Sequence, residues 1–362
     1  MKTIDYTIDC TNEYTTSDYL SQHYTKEQLL FFDIETTGFV AQNTTLYLIG
    51  VLWFTDNQIH IRQWFNDDGK SEKELIISFT SFISKFCYLI HFNGLGFDLP
   101  YLKQKANQLE IPFDCETSIK QIDIYKEIRP FKNIFALDNL KQVSIERFLD
   151  ITRQDIYSGK ELINIYQRYI ATPNPTSEEI LLLHNHDDLL GMTKVSQILH
   201  YKHFIEIPPI ETLDFKTKDN QLVAKFTLNN SITLPKRITI SKNGIYLNAI
   251  NNTGTLQIPI LKTTLKHFFS DYKNYYYLPL EDMAIHKSVA AYVENPNKTK
   301  ATKKTCYIKK NDFFICCFNQ SSSEVFLQEM NDKQQYCTLN SILNADFESQ
   351  ISYIKNTLQI FL

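Results

Sequence analysis

The fold of this 362-residue chain is decided by three apolar segments: LLFFDIE (29–35), TTLYLIGVLWF (44–54) and QIHIRQWF (58–65). Short runs rich in Leu, Ile, Phe and Trp that end at turn signals are typical of β-strands. Asp56-Asn57 supplies such a turn between the second and third segments. We therefore predict three consecutive strands connected as hairpins.

Strands and helices alternate after these segments. A helix over about 70–86 is followed by the strand CYLIHF (87–92), a helix from Asp98 to Leu109 and the strand QIDIY (121–125). Three further helices are predicted over about 138–149, 160–170 and 177–203. This order predicts an α/β fold with a mixed five-stranded sheet flanked by helices.

The sequence changes character near residue 205. Pro208-Pro209 stops helix propagation, and the strand-like segments QLVAKFTL, RITIS, GIYLNAI and TLQIPI follow, with a helix expected at 281–293. We predict three parts: a polar lead-in over 1–28 with one short helix, a domain over 29–204, and a smaller, mostly β (α+β) domain over 205–362.

Composition and charge limit the class of protein. Hydrophobic residues make up 43% of the chain, which is sufficient for a packed core. No apolar run approaches the roughly 20 residues that span a bilayer, and the first ten residues lack a signal core. Seven scattered cysteines show no zinc-ligand spacing. We expect a soluble, cytoplasmic protein without a membrane partner.

The net charge of −4 is unevenly divided along the chain. Residues 1–204 carry 19 Lys and Arg against 27 Asp and Glu, whereas residues 205–362 carry 18 against 14. Bound divalent cations would offset the acidic excess of the first part, and the basic excess of the second could steer a polyanion. Ordinary surface solvation explains such a difference equally well.

The first acidic motif lies in FFDIETTGF (31–39). Because side chains alternate along a strand, Asp33 and Glu35 project from one face about 7 Å apart. Burying two carboxylates on an apolar strand is costly, and a bound cation would remove that cost. The alternative is a pair of acids at a strand end that faces solvent.

Two further segments carry polar residues in a matching order. HFNGLGFDLPYL (91–102) places Asn93 and Asp98 in a loop before a helix, where Asp98 could also be a simple helix cap. LLLHNHDDLLGM (181–192) places His184 and Asp188 four residues apart, on one face of a helix. Alone, such a His–Asp pair is usually solvated.

Together the three segments resemble the motifs of the DEDD 3′-5′ exonuclease superfamily, which has a ribonuclease H-like fold. DIETTG resembles its first motif, Asn93 through Asp98 its second, and His184 through Asp188 its third. The third motif is similar to that of the YprB-like group of predicted exonucleases, as is the segment 137–169. The resemblance covers roughly residues 28–203.

The resemblance implies a metal-dependent nuclease that acts on a single-stranded 3′ end of DNA or RNA. Two Mg²⁺ or Mn²⁺ ions would be held by Asp33, Glu35, Asp98 and Asp188, because hard divalent ions prefer oxygen ligands. His184 would be the general base. We further expect substrate contacts from Thr36, Asn93 and Arg153, although an ion pair is an alternative role for Arg153.

Several alternatives stay open at this point. Members that use His as the base usually place it five residues before the last Asp, whereas His184 precedes Asp188 by four. His186 could replace it, and Asp187 is a rival to Asp188. The chain could also be an inactive nucleic-acid-binding or scaffold protein, or a structure-specific endonuclease. The lysine-rich segment 298–304 could bind a single strand or be a solvated loop.

Overall fold

The computed structural model describes residues 1–10, 18–115, 119–206, 208–318 and 324–362. The chain divides into two compact units. The first unit comprises Met1–Lys202 with Ser231–Lys236, and the second comprises His203–Asn230 with Arg237–Leu362. The domain limits drawn from the sequence stay predictions.

The first unit is built around a mixed six-stranded sheet with the order β1-β4-β3-β2-β5-β6. Its strands are β1 (Lys2–Asp9), β2 (Leu29–Thr36), β3 (Leu46–Thr55), β4 (Gln58–Phe65), β5 (Tyr88–His91) and β6 (Lys120–Asp123). Strands β2, β3 and β4 pair antiparallel, whereas β5 pairs parallel with both β2 and β6. The five strands predicted from the sequence are confirmed.

Strand β1 is the addition to the predicted sheet. It lies in the segment that we expected to be a polar lead-in, and it pairs antiparallel with β4 from Lys2↔Phe65 to Asp9↔Gln58. Its side chains alternate between exposed and half-buried. Its sequence KTIDYTID alternates polar with apolar residues, which is typical of a half-buried strand, but the apolar residues are too few to distinguish it from a polar lead-in without the partner strand.

Helices cover the sheet of the first unit. They are α1 (Asp18–His23), α2 (Glu72–Ile83), α3 (Asp98–Gln108), α4 (Ile124–Ile128), α5 (Lys132–Phe135), α6 (Gln142–Phe148), α7 (Gly159–Ala171), α8 (Pro175–Val195) and α9 (Leu199–Glu206). The helix expected over 177–203 is therefore two helices, separated by a 3₁₀ turn at Ser196–Ile198. Asn174 caps α8, because its side chain accepts a hydrogen bond from the Ser177 amide at 2.8 Å.

The second unit contains three antiparallel sheets. The first has the order β7-β8-β11-β10-β9, from β7 (Ile210–Lys218), β8 (Gln221–Leu228), β9 (Leu234–Lys242), β10 (Ile245–Asn251) and β11 (Thr253–Pro259). The others have the orders β12-β16-β17 and β14-β13-β15, from β12 (Leu261–Phe268), β13 (Tyr275–Leu278), β14 (Met283–His286), β15 (Thr299–Lys300), β16 (Tyr307–Cys317) and β17 (Gln335–Thr338). Helices α10 (Lys287–Ala290), α11 (Leu339–Leu343) and α12 (Phe347–Leu358) complete the unit.

The helix expected at 281–293 is wrong. Residues Met283–His286 form β14, which pairs antiparallel with the aromatic strand β13, and only Lys287–Ala290 are helical. Pairing of Tyr276 with Ile285 and of Tyr277 with Ala284 outweighs the helical preference of this segment. Within the lysine-rich segment, the Lys298 ammonium is already bound to the carbonyls of Ala290 and Val293, each at 2.6 Å.

No helix in the described part of the chain is both long and apolar enough to cross a lipid bilayer.

Candidate active site

Acidic side chains from three parts of the first unit line one cleft of about 420 Å³. Its walls are Asp33, Ile34, Glu35, Phe39, Phe92, Asn93, Phe97, Asp98, His184 and Asp188. As alternation along β2 predicts, Asp33 and Glu35 lie on the same face of the strand, while Ile34 between them is buried. The structure thus brings together the four carboxylates and the histidine that the sequence singled out.

Asp98 enters the cleft at the first turn of α3. It does not cap the helix, since the helix begins at Asp98 itself and Phe97 is the N-cap residue. Its side chain is buried, with 6% of its surface exposed. The alternative named above, that Asp98 is a simple helix cap, therefore does not hold.

The loop before Asp98 is fixed by Asp123, a residue that the sequence did not assign to the site. The Asp123 carboxylate accepts hydrogen bonds from the backbone amides of Asn93 (2.9 Å), Leu95 (3.1 Å) and Lys126 (3.1 Å). Asn93 has a φ of 65°, in the left-handed region that Asn tolerates better than most residues. Asp123 therefore holds the turn that delivers Asn93 and Asp98 to the cleft.

Helix α8 supplies the third side of the cleft and separates two adjacent acids. Asp188 lines the cleft. Asp187 instead accepts hydrogen bonds from the backbone amides of Gln154 (2.7 Å) and Asp155 (2.8 Å). His186 lines two other clefts and stacks edge-on against Tyr6. The geometry therefore favours Asp188 over Asp187 and His184 over His186.

Three donor groups are close enough to share one metal ion. One ligand atom each from Glu35, His184 and Asp188 lie within 4.8 Å of one another. The His184 Nε2 atom is 3.6 Å from Glu35 Oε1 and 3.4 Å from Asp188 Oδ2. Asp33 and Asp98 line the same cleft outside this trio. The oxygens of Glu35 and Asp188 suit a divalent cation, and the adjacent Nε2 atom of His184 can serve either as a further ligand or as a base.

Three carboxyl groups of the cleft have raised pKa values, because they are buried close to one another. Burial raises the pKa of Asp33 well above its usual range, and the carboxylates of Glu35 and Asp188 raise it further. Burial also raises the pKa of Glu35 to about 7, against the opposing effect of His184. Burial likewise raises the pKa of Asp98 to about 7. A cation bound in the cleft would relieve this cost.

Asn185 is a functional residue that the sequence indicated only as part of a motif. Its Nδ2 donates to Asp33 Oδ2 at 2.9 Å, and its Oδ1 accepts from Gln63 Nε2 at 2.9 Å. Gly50 makes room for it, because a Cβ at that position would lie 1.9 Å from Asn185 Oδ1. Asn185 therefore orients Asp33 through a buried amide pair.

The loop that follows α6 docks on α8 and organises the histidine and the last acid. Arg153 Nη1 lies 2.7 Å from Asp188 Oδ1 and 3.1 Å from Glu146 Oε2. Asp155 Oδ2 lies 2.7 Å from His184 Nδ1. Since Arg153 occupies Oδ1, the other oxygen of Asp188 is the one that lies near His184.

His184 has a defined orientation. Because the Asp155 carboxylate can only accept, the proton belongs on Nδ1, and Nε2 is then the basic atom of the neutral ring. Burial lowers the pKa of His184, but the carboxylates of Glu35, Asp188 and Asp155 outweigh it and raise the pKa above its usual value. Asp155 could not be found from the sequence, since it lies 29 residues from its partner in an irregular segment.

The three predicted substrate contacts have different environments. Asn93 lines the cleft. The Thr36 hydroxyl donates to the Gly38 carbonyl at 2.8 Å, which occupies it within its own turn. Arg153 is held among carboxylates, in the ion-pair role named as its alternative. Contact of any of the three with substrate stays a prediction.

Comparison with known proteins agrees with this arrangement. Residues 30–200 match the family model described as the RNase_H superfamily. With the mixed sheet and its flanking helices, this match gives the unit that contains these residues a ribonuclease H-like fold. The similarity supports a nuclease function.

The resemblance drawn from the motifs is also confirmed. The chain is 25% identical over 179 residues to the uncharacterized protein YprB of Bacillus subtilis (strain 168), across 49% of this chain and 42% of YprB. The chain thus spans less than half the length of this relative.

Two solved structures show weaker similarity. A family B DNA polymerase from the archaeon Pyrobaculum calidifontis matches with a TM-score of 0.38 and 13% identity, over 68% of this chain and 35% of the polymerase. A structure of exonuclease I matches with a TM-score of 0.27 and 8% identity, over 55% of each chain. The fold assignment does not rest on either.

Proposed function

We propose that this chain is a metal-dependent 3′-5′ exonuclease that hydrolyses phosphodiester bonds in single-stranded DNA or RNA. The observation that carries the proposal is the convergence of Asp33, Glu35, Asp98 and Asp188 in one cleft with an oriented histidine. Similarity to the RNase_H superfamily supports nuclease function, and the exonucleolytic direction, the substrate and the metal are further parts of the proposal.

The carboxylates fit a pair of Mg²⁺ or Mn²⁺ ions. Burial and neighbouring acids raise the pKa values of Asp33, Glu35 and Asp98, which is consistent with a site that receives positive charge, and oxygen donors are what these ions prefer. Asp33, Glu35, Asp98 and Asp188 would hold the ions, which would supply charge stabilisation to an in-line attack by water. Asn185 and Arg153 keep one oxygen each of Asp33 and Asp188 in place.

His184 is the proposed general base. Its Nδ1 is tied to Asp155, so a water molecule beside Nε2 would lose its proton to that atom. The four-residue spacing to Asp188 places Nε2 3.4 Å from the Asp188 carboxylate. The proton acceptor therefore lies beside the proposed metal ligands, despite the departure from the usual spacing.

Aromatic side chains at the mouth suit a terminal base. Phe39 is 88% exposed, and its ring centroid lies 5.7 Å from that of Phe97. Both rings line the carboxylate cleft. Two accessible rings beside the carboxylates offer flat surfaces on which a nucleobase can pack.

The test is degradation of 3′- and 5′-labelled single-stranded DNA and RNA with Mg²⁺ or Mn²⁺. We expect metal-dependent shortening from the 3′ end that yields a ladder with the 5′ label, and we expect Asp33→Asn to abolish it. Discrete internal cuts would show an endonuclease instead. Intact substrate with folded protein and both metals would contradict catalysis altogether.

A further inference from the structure

A second cleft, of about 410 Å³, adjoins the carboxylate cleft. Its walls include Phe92, Asn93, Tyr125, Asn139, Lys141 and Gln142. Phe92 and Asn93 line both clefts. A ligand that leaves the carboxylates past these two residues therefore enters the second cleft directly.

The two clefts differ in charge. Among the described residues, four carboxylates line the first cleft, whereas no Asp or Glu lines the second, whose one cation is Lys141. Lys141 is exposed, and within the described residues its ammonium has no ion pair or hydrogen bond. An uncommitted cation beside a metal site suits a phosphate of the same polymer.

The second cleft also offers aromatic surface. The rings of Phe92 and Tyr125 have centroids 6.0 Å apart and are tilted by 55°, so they do not cover each other face to face. In the described part of the chain the Tyr125 hydroxyl makes no hydrogen bond. Flat aromatic surface beside a free lysine is the combination that binds single-stranded nucleic acid.

Hydrogen bonds connect the wall of the second cleft to the helix that carries Asp188. Gln142 Nε2 donates to the Asp188 carbonyl oxygen at 2.9 Å and to Glu146 Oε1 at 3.0 Å. Asn139 Oδ1 accepts from the Lys141 amide at 3.0 Å and from Ser144 Oγ at 2.7 Å. These contacts hold the segment that carries Lys141 at a fixed place beside Asp188.

We propose that the second cleft is a subsite for the nucleotide on the 5′ side of the scissile phosphate. Its base packs on Tyr125, and its own 5′ phosphate pairs with Lys141. The inference rests on the proposed function in that the scissile phosphate is taken to lie at the carboxylates. It predicts a preference for an unpaired strand, because a paired base could not turn onto Tyr125.

The first test is binding of a 5′-fluorescent single-stranded oligothymidylate, measured by anisotropy with Ca²⁺ in place of Mg²⁺. We expect Lys141→Ala to weaken binding about tenfold and to reduce the slope of log K against log salt by about 0.7, the value for one phosphate contact. The matched control is Lys160→Ala, an exposed lysine that lines neither cleft. An unchanged slope in Lys141→Ala would overturn the subsite.

Two variants of Tyr125 test whether a base packs on its ring. Tyr125→Phe keeps the ring and should bind like wild type, whereas Tyr125→Leu should bind about five- to tenfold more weakly. Circular dichroism and melting temperature report whether Tyr125→Leu is folded. Equal binding by a folded Tyr125→Leu and Tyr125→Phe would refute base packing on this residue.

A kinetic test separates the subsite from catalysis. The p-nitrophenyl ester of thymidine 5′-monophosphate carries one nucleotide and has no second phosphate for Lys141. Lys141→Ala should lower kcat/KM about tenfold on an oligonucleotide and leave it unchanged on the ester. Equal losses on both substrates would overturn the proposal. If wild type hydrolyses neither but the binding results hold, the exonuclease proposal fails and the subsite stands.

Discussion

The two units each contain an aspartate in a polar cluster, and the two clusters shift its pKa in opposite directions. In the first unit, burial raises the pKa of Asp98 to about 7, and backbone amides offset only part of that effect. In the second, hydrogen bonds from Lys309, Tyr277 and Tyr307 hold the pKa of Asp282 well below its usual range. The Tyr277 hydroxyl donates to Asp282 Oδ1 at 2.5 Å.

The difference separates a structural acid from an acid that we propose as a metal ligand. Asp282 has donors on both oxygens, so its negative charge is satisfied within the protein. Asp98 shares its cleft with three other carboxylates, and the backbone amides of Ile34 and Asp98 only partly offset its burial. Ionising a carboxyl group in this environment is unfavourable unless a positive charge lies beside it, which is the basis for the metal proposal.

The largest expected difference between the two clusters is the effect on activity of removing one negative charge from each. Glu35→Gln should reduce exonuclease activity by about a thousandfold or more, because several kcal/mol of charge stabilisation depend on the ligand set. Asp282→Asn, a matched removal of charge in the second unit, should leave the rate constant on short oligonucleotides unchanged. Single-turnover assays on folded variants measure both, and equal losses would remove the distinction between the clusters.

A smaller effect is expected from Asp155→Asn. Loss of the partner that orients a site histidine typically costs 10- to 100-fold. Because Asp155 acts through His184, the substitution should add little once His184→Ala is present. Multiplicative losses in the double variant would show that Asp155 has an independent role, such as its ion pair with Arg153.

The metal-free protein should lose stability as pH rises. The pKa of Asp98 is about 7 in the folded protein against 3.8 as its ordinary value, so the folded state binds the extra proton between these limits. Stability from this group is therefore fully present below about pH 4 and is lost as pH rises through 7. In EDTA, the fall in melting temperature from pH 5 to pH 8 should be smaller for Asp98→Asn than for wild type.

Saturating Mn²⁺ should counter that fall at pH 8. A ligand that binds only the folded state stabilises it, by about 2.7 kcal/mol at one hundred times its Kd. Wild type should therefore melt several degrees higher with Mn²⁺, and Asp33→Asn should respond less. An equal response from both proteins would place the cation elsewhere.

The smallest expected effect is the opposite pH dependence at Asp282. Its folded pKa lies below the ordinary value of 3.8, so its contribution is present above about pH 4 and is lost as pH falls below that. The melting temperatures of wild type and Asp282→Asn should differ above pH 4 and converge as the solution becomes more acidic. A gap that widens in acid would contradict the sign of this shift.

The strands and the acids could be predicted because their signals are local. Apolar runs identify β2 to β4, and alternation alone puts Asp33 and Glu35 on one face. The edge strand β1 escaped prediction because it buries no side chain fully. The helix expected at 281–293 failed because pairing with Tyr275–Leu278 decides that segment.

Supporting contacts at the site could not be predicted because they join distant segments. Asn185 lies 152 positions from Asp33 and 122 positions from Gln63 in the sequence. The local sequence around these residues gives no signal that they form hydrogen bonds with one another. Asp155 reaches His184 from an irregular loop. Tertiary packing alone creates these pairs, so the sequence indicates the proposed metal ligands more clearly than the residues that hold them in place.

The long separation between Asp33 and Asn185 has a consequence for biosynthesis. At translation rates of about 5 to 20 residues per second, roughly 8 to 30 seconds pass between the synthesis of β2 and that of its α8 partner. During this interval the nascent chain carries two carboxylates on its central strand and no amide to receive Asp33. The hydrogen bond between Asn185 and Asp33 can therefore form only after α8 has been synthesised, in the space that the absence of a side chain at Gly50 leaves.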